Sequence, residues 1–163
     1  MRPGDAGGVI HRFEFEALGM PPQPQGSLAF KGMRGRKGGK QTAILTSDNP
    51  QLKTWRAIVA NAARRALPAG WTPLDEPVRV SAEFRMKSPQ RPSYALPATK
   101  PDADKLMRSI LDSMADAGVY TNDSRVAQFG QVDEKYADWA NPVGVFVIVE
   151  WGDLRRPSIR AAG

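Results

Sequence analysis

The chain has 163 residues, 41% of them hydrophobic and 25% charged, the composition of a single soluble globular domain rather than of a disordered chain, a coiled coil or a membrane protein. It contains no cysteine and one histidine, His11, which excludes disulfides, thiolate zinc sites, iron–sulfur clusters and polyhistidine metal sites. With 23 Lys+Arg against 17 Asp+Glu, the formal charge is +6 and the pI about 9.9, so a polyanionic partner such as nucleic acid is favoured over an acidic one.

In chain order, residues 1–8 hold no apolar h-region and are expected to fray; with no apolar run near the ~20 residues of a spanning helix, a cytoplasmic protein without membrane association is expected. From Val9 to Leu18, His11, Phe13, Phe15 and Ala17 alternate with Arg12, Glu14, Glu16 and Leu18, which predicts a half-buried strand. Residues 19–41 combine Pro21, Pro22 and Pro24 with several glycines and the cations Lys31, Arg34, Arg36, Lys37 and Lys40, with no acidic residue among them. They read as a long basic loop suited to following a phosphate backbone.

Asn49-Pro50 resembles a helix start, and Leu52, Trp55, Val59, Ala62 and Ala66 recur at helical spacing, predicting a helix over 50–67. Its other face carries Lys53, Arg56, Arg64 and Arg65, either a solvated face or an extension of the basic surface. Val78, Val80, Ala82, Phe84 and Met86 alternate strictly with polar residues up to Lys87, a second strand. Residues 88–100, with Pro89, Pro92 and Pro97, read as irregular.

The stripe Leu106, Met107, Ile110, Leu111, Met114 predicts a helix over 102–117, stopped by a left-handed Gly118. A strand near 125–136 follows, and then the run Val143 to Glu150, whose β-branched composition predicts a strand buried on both faces. Trp55 and Trp151 fall on apolar positions and are expected in the core, and residues 152–163 are expected to fray. The whole is one α+β domain over 1–163, with a mixed sheet of about four strands, hairpin-like neighbours among them, and two main helices.

Three carboxylates carry candidate chemistry: Asp102 and Asp104 at the mouth of the second helix, and Asp123 just past its end. Residues two apart within a helix point some 200° apart, so Asp102 and Asp104 converge only if Asp102 is still outside the helix while Asp104 is in its first turn. Asp123 returns to them if the next strand runs beside the helix start. Convergent carboxylates in a chain without cysteine suit a hard cation, Mg²⁺ or Mn²⁺, and phosphoryl chemistry. The ordinary alternative is that aspartates favour helix N-termini and turns. Gly39-Lys40-Gln41 lacks the Ser/Thr of a P-loop, Asp102-Ala103-Asp104 lacks the remaining EF-hand ligands, and a catalytic triad would have to draw on His11 within a strand.

The run Lys100-Pro-Asp-Ala-Asp-Lys-Leu-Met-Arg-Ser-Ile-Leu-Asp-Ser-Met114, followed by Thr121-Asn-Asp-Ser-Arg-Val126, resembles the RusA family of Holliday-junction resolvases, common in phages and prophages. The resemblance implies a homodimeric α+β endonuclease, Mg²⁺-dependent with Mn²⁺ as a substitute, that makes symmetric nicks in four-way DNA during recombination and repair. It places Asp102, Asp104 and Asp123 on the family's catalytic, metal-binding aspartates. Two residues depart from the pattern: Lys105 replaces an asparagine, and Arg108 replaces the family's catalytic lysine, keeping the charge but not its compact geometry. Both remain candidate catalytic residues, while Lys31, Arg34, Arg36, Lys37, Lys40 and Lys100 are the expected DNA-binding set. The rival readings are a nuclease for branched DNA in general and a catalytically weakened junction-binding protein.

Overall fold

Alternating apolar residues build the sheet as the pattern predicts. The computed structural model describes residues 8–26, 29–35, 38–46, 49–137 and 141–155. Strand β1 (Ile10–Leu18) buries Phe13, Phe15 and Ala17 and exposes the residues between them. Strand β4 (Val78–Lys87) buries Val78, Val80, Ala82 and Phe84, while β6 (Gly144–Gly152) buries Val145, Val147 and Val149. With β5 (Val126–Ala137) they form a mixed sheet in the order β1-β6-β4-β5, antiparallel except for the parallel pair β4–β5.

Helices α1 (Leu52–Ala66) and α2 (Ala103–Asp116) cover the buried face of this sheet and pack on each other. Between them the fully buried Trp55 donates its indole N–H to Ser109 Oγ at 3.1 Å, and Ser109 Oγ in turn donates to the Leu106 carbonyl. A tryptophan is accommodated in the core because its one polar atom finds an acceptor there. Gly118 follows α2 at φ +77°, a left-handed stop that favours glycine. Gly144 has φ +146° and lies so close to β1 that a Cβ would stand 2.2 Å from the Ala17 carbonyl oxygen.

Several expectations change. Residues 19–41 are not one loop: β2 (Ala29–Arg34) lies within them and pairs antiparallel with β3 (Thr42–Thr46) as a separate two-stranded sheet. Glycines and lysines mask this hairpin, since neither residue type favours strands. The main sheet contains no pair of strands adjacent in sequence and joined by a hairpin; among the described residues that arrangement occurs only in β2–β3. Strand β6 is buried on one face only, because Phe146, Ile148 and Glu150 on the other are merely half covered. Trp55 is core, but Trp151 is half-buried, stacked on His11 and edge-on to Trp71. The expected fraying of the tail does not begin at Gly152, because Asp153 bonds through N–H to the Val9 carbonyl and accepts from the Gly8 N–H. Residues 1–7 and 156–163 lie outside the described residues.

Ser109→Ala is expected to leave the Trp55 indole without an acceptor and to cost about 1–3 kcal/mol, read as a lower urea midpoint with an unchanged slope.

Candidate active site

The mouth of α2 is built as the spacing requires. Asp102 is the N-cap residue in extended conformation (φ −73°, ψ 139°), its carbonyl accepts the first helical hydrogen bond from the Leu106 N–H at 3.1 Å, and Asp104 sits in the first turn. Asp102 accepts an ion pair from Lys105 Nζ at 3.4 Å, both side chains being about half exposed (48% each). Lys105 is therefore engaged in holding Asp102. Arg108, one turn beyond Asp104, is exposed and forms no ion pair or hydrogen bond with a described residue.

Asp123 does not join this pair. It opens a short 3-10 turn (Asp123–Arg125), and its charge acts with that of Asp112 on buried Tyr120. Burial first, and then these two carboxylates, push the Tyr120 phenol far above its usual range, while its O–H donates to the Leu111 carbonyl at 2.7 Å. The turn is pinned by Arg125, whose Nε donates to Asp75 at 2.7 Å; together with Thr121 this holds the Asp75 carboxyl below its usual range. Among the described residues, no three carboxylate or imidazole side chains stand close enough to share one metal ion. The reason is topological: Asp102 precedes α2 and Asp123 follows it, and 14 helical residues span about 21 Å.

What returns to the helix start is Glu134 on β5. It is half-buried and has no cation partner among the described residues. Burial and then the neighbouring charge of Asp102 raise its carboxyl above the ordinary glutamate range. No motif marked Glu134; only the pairing of β5 with β4, which sets Glu134 opposite Phe84, brings it there.

Two clefts open over this end of α2. One, of about 500 Å³, is lined by Glu134, Tyr136, Lys87, Lys100 and Pro101 among others; the other, of about 890 Å³, by Pro21–Pro24, Asn49, Lys100, Pro101 and Lys105. Lys100 lines both clefts, together with Glu134 in the smaller one. The wall formed by residues 21–26 is fastened to α2, because the Gln25 N–H donates to the Lys105 carbonyl at 3.0 Å and its side-chain amide donates to Asp112. Asn49 ties the same wall to the start of α1 through Gln23 and the Pro24 carbonyl. Lys31 and Arg34 belong to β2 and Lys40 precedes β3, with Arg34 and Lys40 exposed, whereas Arg36 and Lys37 lie outside the described residues.

The family model described as Endodeoxyribonuclease RusA matches residues 21–150, which takes in both helices, the hairpin and every candidate residue above. The chain belongs to this family. It is accordingly a nuclease, of a family that resolves Holliday junctions, and branched DNA is the substrate class that membership indicates. No curated protein matches the chain as a relative. Within the described residues no helix is long and apolar enough to cross a membrane.

Because the folded-state pKa of Glu134 lies above its unfolded value, its ionisation at neutral pH opposes folding. Glu134→Gln is expected to raise the urea midpoint at about pH 7, with the gain shrinking towards about pH 4, where the glutamate is largely protonated in both states.

Proposed function

We propose that this RusA-family endodeoxyribonuclease resolves Holliday junctions by paired, symmetric, Mg²⁺-dependent nicks, acting as a homodimer in DNA recombination and repair. The observation that carries the reading is the arrangement at the start of α2: Asp102 extended at the N-cap, Asp104 in the first turn, and half-buried Glu134 beside Asp102, at the mouth of lysine-lined clefts. All three offer hard carboxylate oxygens. Mg²⁺ commonly takes only one or two protein carboxylates and fills its remaining positions with waters and phosphate oxygens, so this donor set fits it, and Mn²⁺ is an acceptable substitute. Asp102 and Asp104 would hold the ion, since no three acids among the described residues stand close enough to share one; Glu134 lies beside Asp102 as a further candidate, and Asp123 enters on the family pattern alone. Such an ion, when bound, supplies charge neutralisation at the scissile phosphate and an acidified water.

The remaining roles belong to the chain itself. Lys105 restrains the Asp102 carboxylate through their ion pair, limiting its rotamers before substrate arrives. Arg108, unpaired among the described residues, offers its guanidinium to the negative charge that builds on the phosphate in the transition state. Lys100, with Arg34 and Lys40 on the hairpin, contacts the phosphate backbone, and Lys31, Arg36 and Lys37 belong to the same proposed set. Two cuts at symmetry-related positions need two equivalent sites at once, which a two-fold dimer supplies.

The absence of a three-acid group among the described residues favours one other reading, a junction-binding protein that cleaves weakly or not at all. The two are separated by incubating a synthetic four-way junction and a linear duplex of matching arms with Mg²⁺ or with EDTA. Paired, metal-dependent cuts in the junction are expected, and Asp102→Asn or Asp104→Asn should reduce them on the order of 100-fold or more while leaving binding intact. Tight binding without cuts in any divalent metal would decide for the second reading. Equal cutting of flaps, forks and junctions would instead mark a broader branched-DNA nuclease. Glu134→Gln is expected to impair nicking more than Asp123→Asn; the reverse order would return Asp123 to the metal and remove Glu134 from it.

A further inference from the structure

The clefts at the acid pair do not end there. Asn49, which lines the larger of them, also lines a third cleft of about 560 Å³ that runs along the outer face of α1. This face has a particular pattern: Lys53, Ala57, Ala60 and Arg64 stand at i, i+4, i+7 and i+11, in one stripe of the helix. Cations thus bracket two alanines whose short side chains leave room above the helix. Eleven helical residues separate Lys53 from Arg64 by about 16 Å, or roughly five steps of the 3.4 Å at which one DNA strand presents its phosphates along the duplex axis.

The arginines are held in place before any ligand arrives. Arg56 pairs with Asp116 at the end of α2, and Arg64 donates to Asn61 Oδ1 at 3.0 Å and to the Asp116 carbonyl at 3.0 Å. A guanidinium carries five N–H donors, so each arginine retains donors for another acceptor. Among the described residues lining this cleft, Asp116 is the only acid against the three cations Lys53, Arg56 and Arg64. The elements that place the acids therefore also place the cations, since α2 carries Asp102 at its start and Asp116 at its end.

We infer that the α1 cleft is a second DNA-contact surface, in which Lys53, Arg56 and Arg64 take the phosphate backbone of one duplex arm as it leaves the cleavage site past Asn49. The inference rests on the junction-nuclease reading for the identity of the ligand, but not on the acid pair for its energetics. Contacts of this kind position the duplex without reading its sequence.

The test measures binding in EDTA by fluorescence anisotropy, for a four-way junction and a linear duplex, across a salt series. The variants are Lys53→Ala, Lys53→Ala combined with Arg64→Gln, and Arg12→Gln as a control on β1, where the charge is remote from the cleft and paired with Glu14. The double variant is expected to bind both DNAs on the order of ten-fold more weakly, with a salt slope shallower by about 2, and Lys53→Ala alone with a slope shallower by about 1. Arg12→Gln should match the parent. Parental affinity and slope in both α1 variants would overturn the inference, as would an equal loss in Arg12→Gln, which would reduce the effect to net charge. Lys53→Ala guards against a folding defect from the loss of the Arg64 bonds to α2. Failure of the junction reading shows separately, as a parent protein that binds the junction no better than duplex or never cuts it, and the slope comparison on duplex still stands in that case.

Discussion

The parallel pairing of β4 with β5 governs the functional layout of this protein. Two parallel neighbours cannot be joined by a tight turn, so the chain must cross back over the sheet between them, and α2 makes that crossing. The crossing helix runs against the direction of both strands. Its first residue consequently lies over the end of β5, beside Glu134, and its last lies towards the beginning, where Tyr120 and Asp123 sit. Which acid lies beside Asp102 follows from strand direction as much as from the spacing of aspartates along the chain.

This accounts for what was and was not legible in the sequence. Side-chain periodicity is local, so β1, β4, α1 and α2 could be read within a residue or two of their observed ends, and so could the extended Asp102 ahead of a helical Asp104. Strand direction is not local. Nothing in the residues of β5 tells whether it runs with or against β4, and that single bit decides whether Asp123 or Glu134 reaches the helix start. The β2–β3 hairpin was obscured differently: its strands are short, six and five residues, and are separated by a stretch of glycine and lysine whose composition is that of a loop. Family resemblance pointed to the segment with Asp102 and Asp104 but not to Glu134, the acid that β5 sets beside Asp102.

The surplus of positive charge is also distributed by the fold. On the open face of the sheet Arg79 pairs with Glu150, while Arg85 pairs with Glu83 and Glu16 and Lys135 with Glu83, so that face is close to neutral. The unbalanced cations lie elsewhere, on the hairpin, around Lys100 and along α1.

Sheet order also dictates when the protein can complete itself during synthesis. β1 is an edge strand whose only neighbour is β6, with Leu18 opposite Gly144 and Ile10 opposite Gly152. β1 therefore waits for β6, while β4, α2 and β5 can already form their parallel unit. Until β6 arrives, the apolar residues Phe13 and Phe15 have no strand to lie beside, and Val78 to Phe84 expose an unpaired edge. Closure of the sheet is a long-range event in which one strand fills the gap between two others, so a nascent chain that ends between β5 and β6 holds the acid pair but lacks the strand that joins the two halves of its core.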